Sequence, residues 1–159
     1  MNIWACDNWK NILDVGNIRS GIRLRFDNHV DAEVRRACKE FLNWLRKQYY
    51  FPIRVPVYIK SSYSIKAMDG DLVSATFFEP YDYNVEPYIR VSTGNYAFAE
   101  NAQERDNALA SILHSIAHEL THYFQWINGV KLTERGYEQQ ATRYAHLILD
   151  EYAETREHP

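Results

Sequence analysis

The sequence predicts an α+β domain in which helices pack on one small sheet. Four short segments have the alternating or β-branched apolar pattern of strands, and three longer ones carry apolar residues at helical spacing. Their order is strand, helix, three strands and two helices, which differs from the regular alternation of a parallel α/β fold. No linker or repeat divides the 159 residues, so we expect a single domain over residues 1–159.

Four segments predict the strands of this sheet. They are residues 22–26, 55–59, 72–78 and 88–92. Pro56 favours an edge position for the second strand, because proline cannot donate a ladder hydrogen bond. Residues 1–20 are poorly assigned; Trp4 and Trp9 indicate a short packed helix that ends before Gly16.

Three segments predict long amphipathic helices. They are residues 30–50, 102–127 and 134–155. Asn101 with Glu104 resembles a capping box before the second helix, and Gly129 provides its stop. Thr133 is placed to cap the third helix, and the charged residues 154–159 predict a flexible tail.

The composition restricts the classes of partner. A net charge of −3 disfavours nucleic acid, and no apolar run is long enough to cross a membrane. Cys6 and Cys38 are far apart and form no metal-binding pair, so we expect reduced thiols. The N-terminus lacks the pattern of a secretory signal, which favours a cytoplasmic location. The oligomeric state is not encoded in any pattern that we identify.

One motif in the second long helix carries chemistry. His118-Glu119-Leu120-Thr121-His122 matches HExxH. Histidines four residues apart project from consecutive turns and can bind one zinc ion at about 2.0–2.1 Å. Glu119 is displaced around the helix, where it can act as a general base on zinc-bound water. The alternative interpretation is two surface histidines on an ordinary helix.

His114 precedes His118 by one turn and lies on the same helix face. His114 and His118 are also four residues apart, but Ser115 stands where HExxH has its glutamate. A site formed by these two histidines would therefore lack a general base. His114 is therefore either a residue that lines the site or a polar packing residue.

A catalytic zinc site usually has three protein ligands and one open position. The downstream candidates for the third ligand are Glu134, Glu138, His146, Asp150 and Glu151. Glu138 is our choice, because a hairpin of the two helices would bring it level with His122. Ala141 and Ala145 share its face, and their small side chains would allow close approach of the helices.

The motif followed by Glu138-Gln139-Gln140-Ala141 resembles the gluzincin pattern of zinc metallopeptidases. Compact minigluzincin-type enzymes and the ImmA/IrrE-like group are the most similar. The resemblance covers roughly residues 30–155, although only the motif region is specific. It implies a minimal zincin-like domain with a small mixed sheet, a backing helix, an active-site helix and a glutamate helix. It also implies that His118, His122 and Glu138 bind zinc and that Glu119 is the catalytic base and acid.

Two features depart from this pattern. The spacing from His122 to Glu138 is shorter than in large gluzincins, which favours a minimal scaffold. Thr142 stands where some gluzincins place an aspartate one turn after the ligand glutamate. Its hydroxyl can orient a histidine ligand but polarises it less than a carboxylate does, which would weaken activity.

The substrate side of the site is less defined. By resemblance, residues 88–92 form a rim strand at the sheet edge, where an extended peptide substrate would add as a further strand. Tyr137, Tyr144 and His146 are the candidates for stabilising the oxyanion. The tail could fold back onto the metal, which is a separate hypothesis.

We expect a zinc-dependent endopeptidase that hydrolyses peptide bonds of a peptide or protein substrate. The alternative is a metal-binding domain of the same fold that is latent or inactive. A third interpretation, a structural helical protein with a chance motif, predicts no bound metal.

Overall fold

A four-stranded mixed sheet and three long helices build the computed structural model, which describes residues 2–14 and 19–159. The strands are β1 (Ile22–Phe26), β2 (Val55–Lys60), β3 (Ile65–Lys66), β4 (Leu72–Val73), β5 (Ala75–Phe78) and β6 (Tyr88–Ser92). The helices are α1 (Trp9–Ile12), α2 (Ala32–Gln48), α3 (Ala102–Ile127) and α4 (Glu134–Ala153), with 3-10 turns at Ile3–Ala5 and Gly94–Phe98. The predicted α+β class is confirmed.

The main sheet has the strand order β1-β2-β6-β5. β1, β2 and β6 are parallel, and β5 runs antiparallel to β6. One row across its covered face is Leu24, Val57, Ile89 and Phe77, and the neighbouring row on the opposite face is Arg25, Tyr58, Arg90 and Thr76. Because the apolar rows share one face, the helices need to cover only that face to complete the core.

The predicted strand 72–78 is wrong as a single element. Leu72–Val73 pairs with Ile65–Lys66 in a separate two-stranded sheet, whereas Ala75–Phe78 joins the main sheet. Ser74 separates the two pieces, and its carbonyl accepts hydrogen bonds from the backbone N–H and hydroxyl of Ser92. The apolar pattern correctly indicated extended chain, but it did not indicate that the two pieces pair with different strands.

Both edge assignments are also wrong. β2 lies between β1 and β6, and β6 lies between β2 and β5, so β1 and β5 are the edges. Pro56 is tolerated inside the sheet because the N–H of Val55 bonds Gly21 on the β1 side. The nitrogen of Pro56 therefore faces β6, whose ladder with β2 begins only at Val57.

The long helices begin and end near the predicted residues. Asn101 accepts a hydrogen bond from the backbone N–H of Glu104 at 2.9 Å, and Thr133 accepts one from Gly136 at 3.0 Å. Gly129 ends the turn after α3 with φ +62°, a conformation that glycine adopts without a Cβ penalty. α3 packs on β5 and β6, α2 packs on β1, and α4 packs along α3.

Both terminal segments contact the helices. Trp4 is buried, and its indole N–H donates to the hydroxyl of Thr121 at 2.9 Å.

Gly16, before which we expected the N-terminal helix to end, lies outside the described residues. The thiols of Cys6 and Cys38 are free, and only Cys38 is fully buried. Among the described residues, no helix is long and apolar enough to cross a membrane.

In the C-terminal segment, which the sequence predicts to be flexible, Arg156 pairs with Glu40 on α2 at 2.6 Å. His158 contacts Asp106 near the start of α3 at 2.8 Å. Asp106 is twelve residues before His118, so about 18 Å of helix separates this contact from the motif. The tail is therefore placed away from the motif and does not fold back onto it.

Candidate functional site

The HExxH motif occupies the half of α3 that is enclosed on several sides. The apolar stripe of α3 is buried; it comprises Leu109, Ile112, Leu113, Ile116, Leu120 and Phe124. Thr121 is covered by Trp4, and α4 packs along the histidine face. The side chains of His118 and His122 retain only 17% exposure each, so they are not freely solvated surface histidines.

The side chains of His118, His122 and Glu138 converge. Nε2 of His118 lies 3.0 Å from Oε2 of Glu138, and Nε2 of His122 lies 3.0 Å from its Oε1. One ligand atom from each residue falls within 4.8 Å of the other two. Ligands of one tetrahedral zinc at 2.0–2.1 Å lie about 3.3 Å apart, so this donor set is compatible with zinc.

α4 reaches the motif because small residues form its contact face. Ala141 and Ala145 are fully buried, as expected from the sequence. Because these two side chains are small, the carboxylate of Glu138 can extend to both imidazoles. This carboxylate remains 63% exposed, so its open side faces solvent.

The other candidates for a third ligand lie elsewhere. Glu151 accepts a hydrogen bond from the hydroxyl of Tyr49, and Asp150 is exposed further along α4. Glu134 lines a cavity beside the motif, and His146 packs on His114. Within residues 2–14 and 19–159, the convergent group is the one that contains Glu138.

Glu119 has an environment that differs from that of Glu138. Its side chain is 8% exposed and lines the cavity together with His122 and Glu138. Burial, and secondarily the charge of Glu138, raises the pKa of Glu119 to about 8. A bound cation would act in the opposite direction and favour the carboxylate.

The cavity beside these residues has a volume of about 600 Å³. Its wall includes the edge strand β5 and an aromatic group formed by Phe77, Tyr83 and Trp126. The rings of Tyr83 and Trp126 lie 4.8 Å apart, and the hydroxyl of Tyr83 donates to the Trp126 carbonyl. A substrate in this cavity would contact the motif, the edge of β5 and an apolar surface together.

Gln125 was not among the site residues predicted from the sequence. Its Oε1 lies 2.7 Å from Nδ1 of His122, and its side chain is buried. Thr142, to which we assigned a possible orienting role, is instead exposed on α4. The signal for Gln125 was its position three residues after His122, which places the two side chains on one helix face.

His114 continues the row of histidines on α3. Its ring lies 4.7 Å from that of His146 and 6.3 Å from that of His118. Burial, followed by the charges of His146 and His118, lowers the pKa of His114. His114 is outside the convergent group and is not part of the described cavity wall.

The three candidates for oxyanion stabilisation are placed differently. Tyr137 lines the cavity, and its hydroxyl donates to the Val130 carbonyl at 2.7 Å. Tyr144 is half-buried on α4, and His146 packs on His114. Tyr137 is therefore the candidate that shares a wall with Glu119.

Comparison of the chain with protein-family models, with curated protein sequences and with solved structures finds no match in any of the three.

Proposed function

We propose that the protein is a zinc-dependent endopeptidase of the gluzincin type. The observation that carries the proposal is the convergence of His118, His122 and Glu138 beside the buried carboxylate of Glu119. Two imidazoles and one carboxylate leave a tetrahedral ion one open position, which is the arrangement of catalytic rather than structural zinc. A base adjacent to that position serves hydrolysis and has no purpose in a purely structural site.

Each residue of this group has a separate role in the proposed hydrolysis. A zinc ion bound here would supply Lewis acidity, which polarises a scissile carbonyl and makes water more acidic. His118, His122 and Glu138 would hold this ion. Glu119 accepts a proton from the attacking water and delivers it to the leaving amine.

The cavity supports a peptide as the substrate. The edge strand β5 borders it, and an unpaired strand edge can align an extended peptide by backbone hydrogen bonds. The aromatic wall of Phe77, Tyr83 and Trp126 offers an apolar surface for one substrate side chain. Tyr137 is our candidate for a donor to the oxyanion, if its hydroxyl turns from Val130.

A latent metal-binding domain of the same fold is the second candidate. It is favoured by the amide of Gln125 at Nδ1 of His122, because an amide polarises imidazole less than a carboxylate does. The two candidates share the metal site and differ only in turnover.

The test is zinc content followed by proteolysis of a diverse peptide mixture. Wild-type protein, chelated protein and Glu119→Ala are compared. We expect about one zinc per chain and cleavage that both chelation and Glu119→Ala abolish. Zinc without cleavage would favour the latent domain, and a failure to bind zinc after reconstitution would overturn both candidates.

A further inference from the structure

Gln125 lies buried between α3 and α4 and connects the two helices that carry the convergent group. Its Oε1 lies 2.7 Å from Nδ1 of His122. Its Nε2 lies 3.0 Å from the backbone carbonyl of Tyr137 and 3.0 Å from Oε1 of Gln140. Tyr137 and Gln140 lie on either side of Glu138 on α4. The Gln125 amide therefore contacts one proposed ligand, His122, and two neighbours of another, Glu138.

The orientation of this amide is determined by its partners. The Tyr137 carbonyl can only accept, so the group that faces it must be the Gln125 NH₂. Rotation by a half turn would place two oxygens against each other in a buried site, where an acceptor without a donor is unfavourable. The Gln125 oxygen must then face His122.

This orientation determines the state of His122. Because Oε1 of Gln125 can only accept, Nδ1 of His122 must carry a proton. Nε2, the atom that lies 3.0 Å from Oε1 of Glu138, is then the nitrogen whose proton a metal would replace. A backbone carbonyl on α4 thus selects, through Gln125, which nitrogen of His122 is available to a metal.

We propose that Gln125 is a positioning residue that holds Nδ1 of His122 protonated and directs its Nε2 lone pair to the metal. The inference rests on the proposed metal site. Among the residues that the structure describes, His118 has no corresponding contact, because its hydrogen-bonding partner, Glu138, lies on Nε2. His122 is therefore the anchored ligand of the pair. Partners on the outer nitrogen of a histidine ligand typically contribute about 10–100-fold to metal affinity.

The first test is nitrogen NMR of wild-type protein, in metal-free and zinc-loaded form. We expect His122 to show a slowly exchanging Nδ1 proton in both forms, because this proton is held in a 2.7 Å hydrogen bond to a buried amide. A His122 ring without a proton on Nδ1 would overturn the inference. This readout needs no variant and no activity, so it decides whether Nδ1 of His122 is protonated even if zinc does not bind.

The second test is zinc affinity of Gln125→Met, measured by chelator competition. Methionine keeps the chain length but offers Nδ1 only a thioether sulfur, which is a weak acceptor. We expect affinity to fall about 10–100-fold and the protected Nδ1 proton to be lost. Gln139→Met, at an exposed glutamine on α4, is the matched control and should bind as wild type does.

Unchanged affinity in a folded Gln125→Met, checked by thermal unfolding of the metal-free protein, would contradict the inference. If zinc-loaded wild type cleaves no peptide, the peptidase proposal fails. The proposed role of Gln125 in zinc binding is then still supported by the affinity and NMR results.

Discussion

Single side chains determine whether a cation can be held in this protein. Glu138 lies 3.0 Å from both motif histidines, and its second face is open to solvent. Burial, and then the neighbouring charge of His122, lowers the pKa of His118, which favours the neutral form that binds metal. The three side chains therefore form one group that could hold a metal ion.

Replacing Glu138 tests this arrangement directly. We expect Glu138→Gln to lower zinc affinity more than about 100-fold, because loss of a ligand exceeds the effect of losing an outer partner. Chelator competition measures it. Asp150→Asn, an exposed carboxylate further along the same helix, is the control and should keep wild-type affinity. Equal affinity of Glu138→Gln and wild type would remove Glu138 from the ligand set.

Some side chains could be identified from sequence and others could not. HExxH has fixed spacing on one helix, so His118, Glu119 and His122 needed no knowledge of the fold. Glu138 required only a hairpin and a face of small residues. Gln125 was missed because its contacts with Tyr137 and Gln140 depend on the register between α3 and α4.

The spacing between α3 and α4 is the main property of the secondary-structure elements that build the site. Ala141 and Ala145 are fully buried between them, so any larger side chain there must push the helices apart. The carboxylate of Glu138 would then no longer reach both histidines.

Enlarging this contact should affect both stability and metal binding. We expect Ala141→Leu to lower the free energy of unfolding by about 1–3 kcal/mol and to weaken zinc binding. Thr142→Leu introduces the same side chain one residue later, on the exposed face, and should change stability by less than about 0.5 kcal/mol. Urea unfolding and chelator competition measure the two effects. An Ala141→Leu protein with wild-type stability would show that the helices are not closely packed.

The ends of β1 and β2 are joined by Asp27. Its carboxylate accepts hydrogen bonds from the backbone N–H and hydroxyl of Ser61 at 2.7 and 3.0 Å, and from the N–H of His29. The hydrogen bond from the Ser61 backbone is the main reason that the pKa of Asp27 lies below its ordinary value of 3.8. Because the pKa of Asp27 is lower in the folded state, the ionised carboxylate stabilises the fold above pH 3.8. This contribution is lost as the pH falls through the folded-state pKa.

Asp27→Asn should therefore be less stable than wild type by about 1–2 kcal/mol at neutral pH. The difference should shrink as pH falls below 3.8, where the wild-type carboxylate becomes protonated. Urea unfolding over a pH series measures it. A difference that stays constant into the acid range would mean that the charge of Asp27 makes no contribution.

Strand neighbours were the part of the fold that sequence could not supply. Period-two alternation reports which face of a strand is buried, but not which strand lies beside it. This is why the segment before Ser74 was joined to β5, and why β2 and β6 were assigned to edges. Helix bounds were predicted better, because caps and apolar periodicity act locally.

The whole molecule combines an apolar core, which lies between the sheet and the helices, with a group of polar side chains where α3 and α4 meet. His118 and His122 belong to α3, and Glu138 belongs to α4, so an ion bound by all three bridges two helices. Metal binding should then contribute to global stability, since the unfolded chain does not bring these residues together.

Zinc should raise the melting temperature of the metal-free protein. At about 100 times its dissociation constant, a ligand that binds only the folded state stabilises it by about 2.7 kcal/mol, or about 5–10 °C for a chain of this size. Differential scanning calorimetry measures the shift, and excess chelator should reverse it. Magnesium, which prefers oxygen ligands, is the control and should have no effect. A melting temperature independent of zinc would contradict a bridging ion.

The most direct test of the proposed chemistry compares peptide cleavage by zinc-loaded wild type and zinc-loaded Glu119→Gln. Glutamine keeps the shape of the side chain but cannot accept the proton from water. We predict equal zinc content and a fall in cleavage rate of about 10²–10⁴-fold. Cleavage by Glu119→Gln at the wild-type rate, with equal zinc content, would contradict the account.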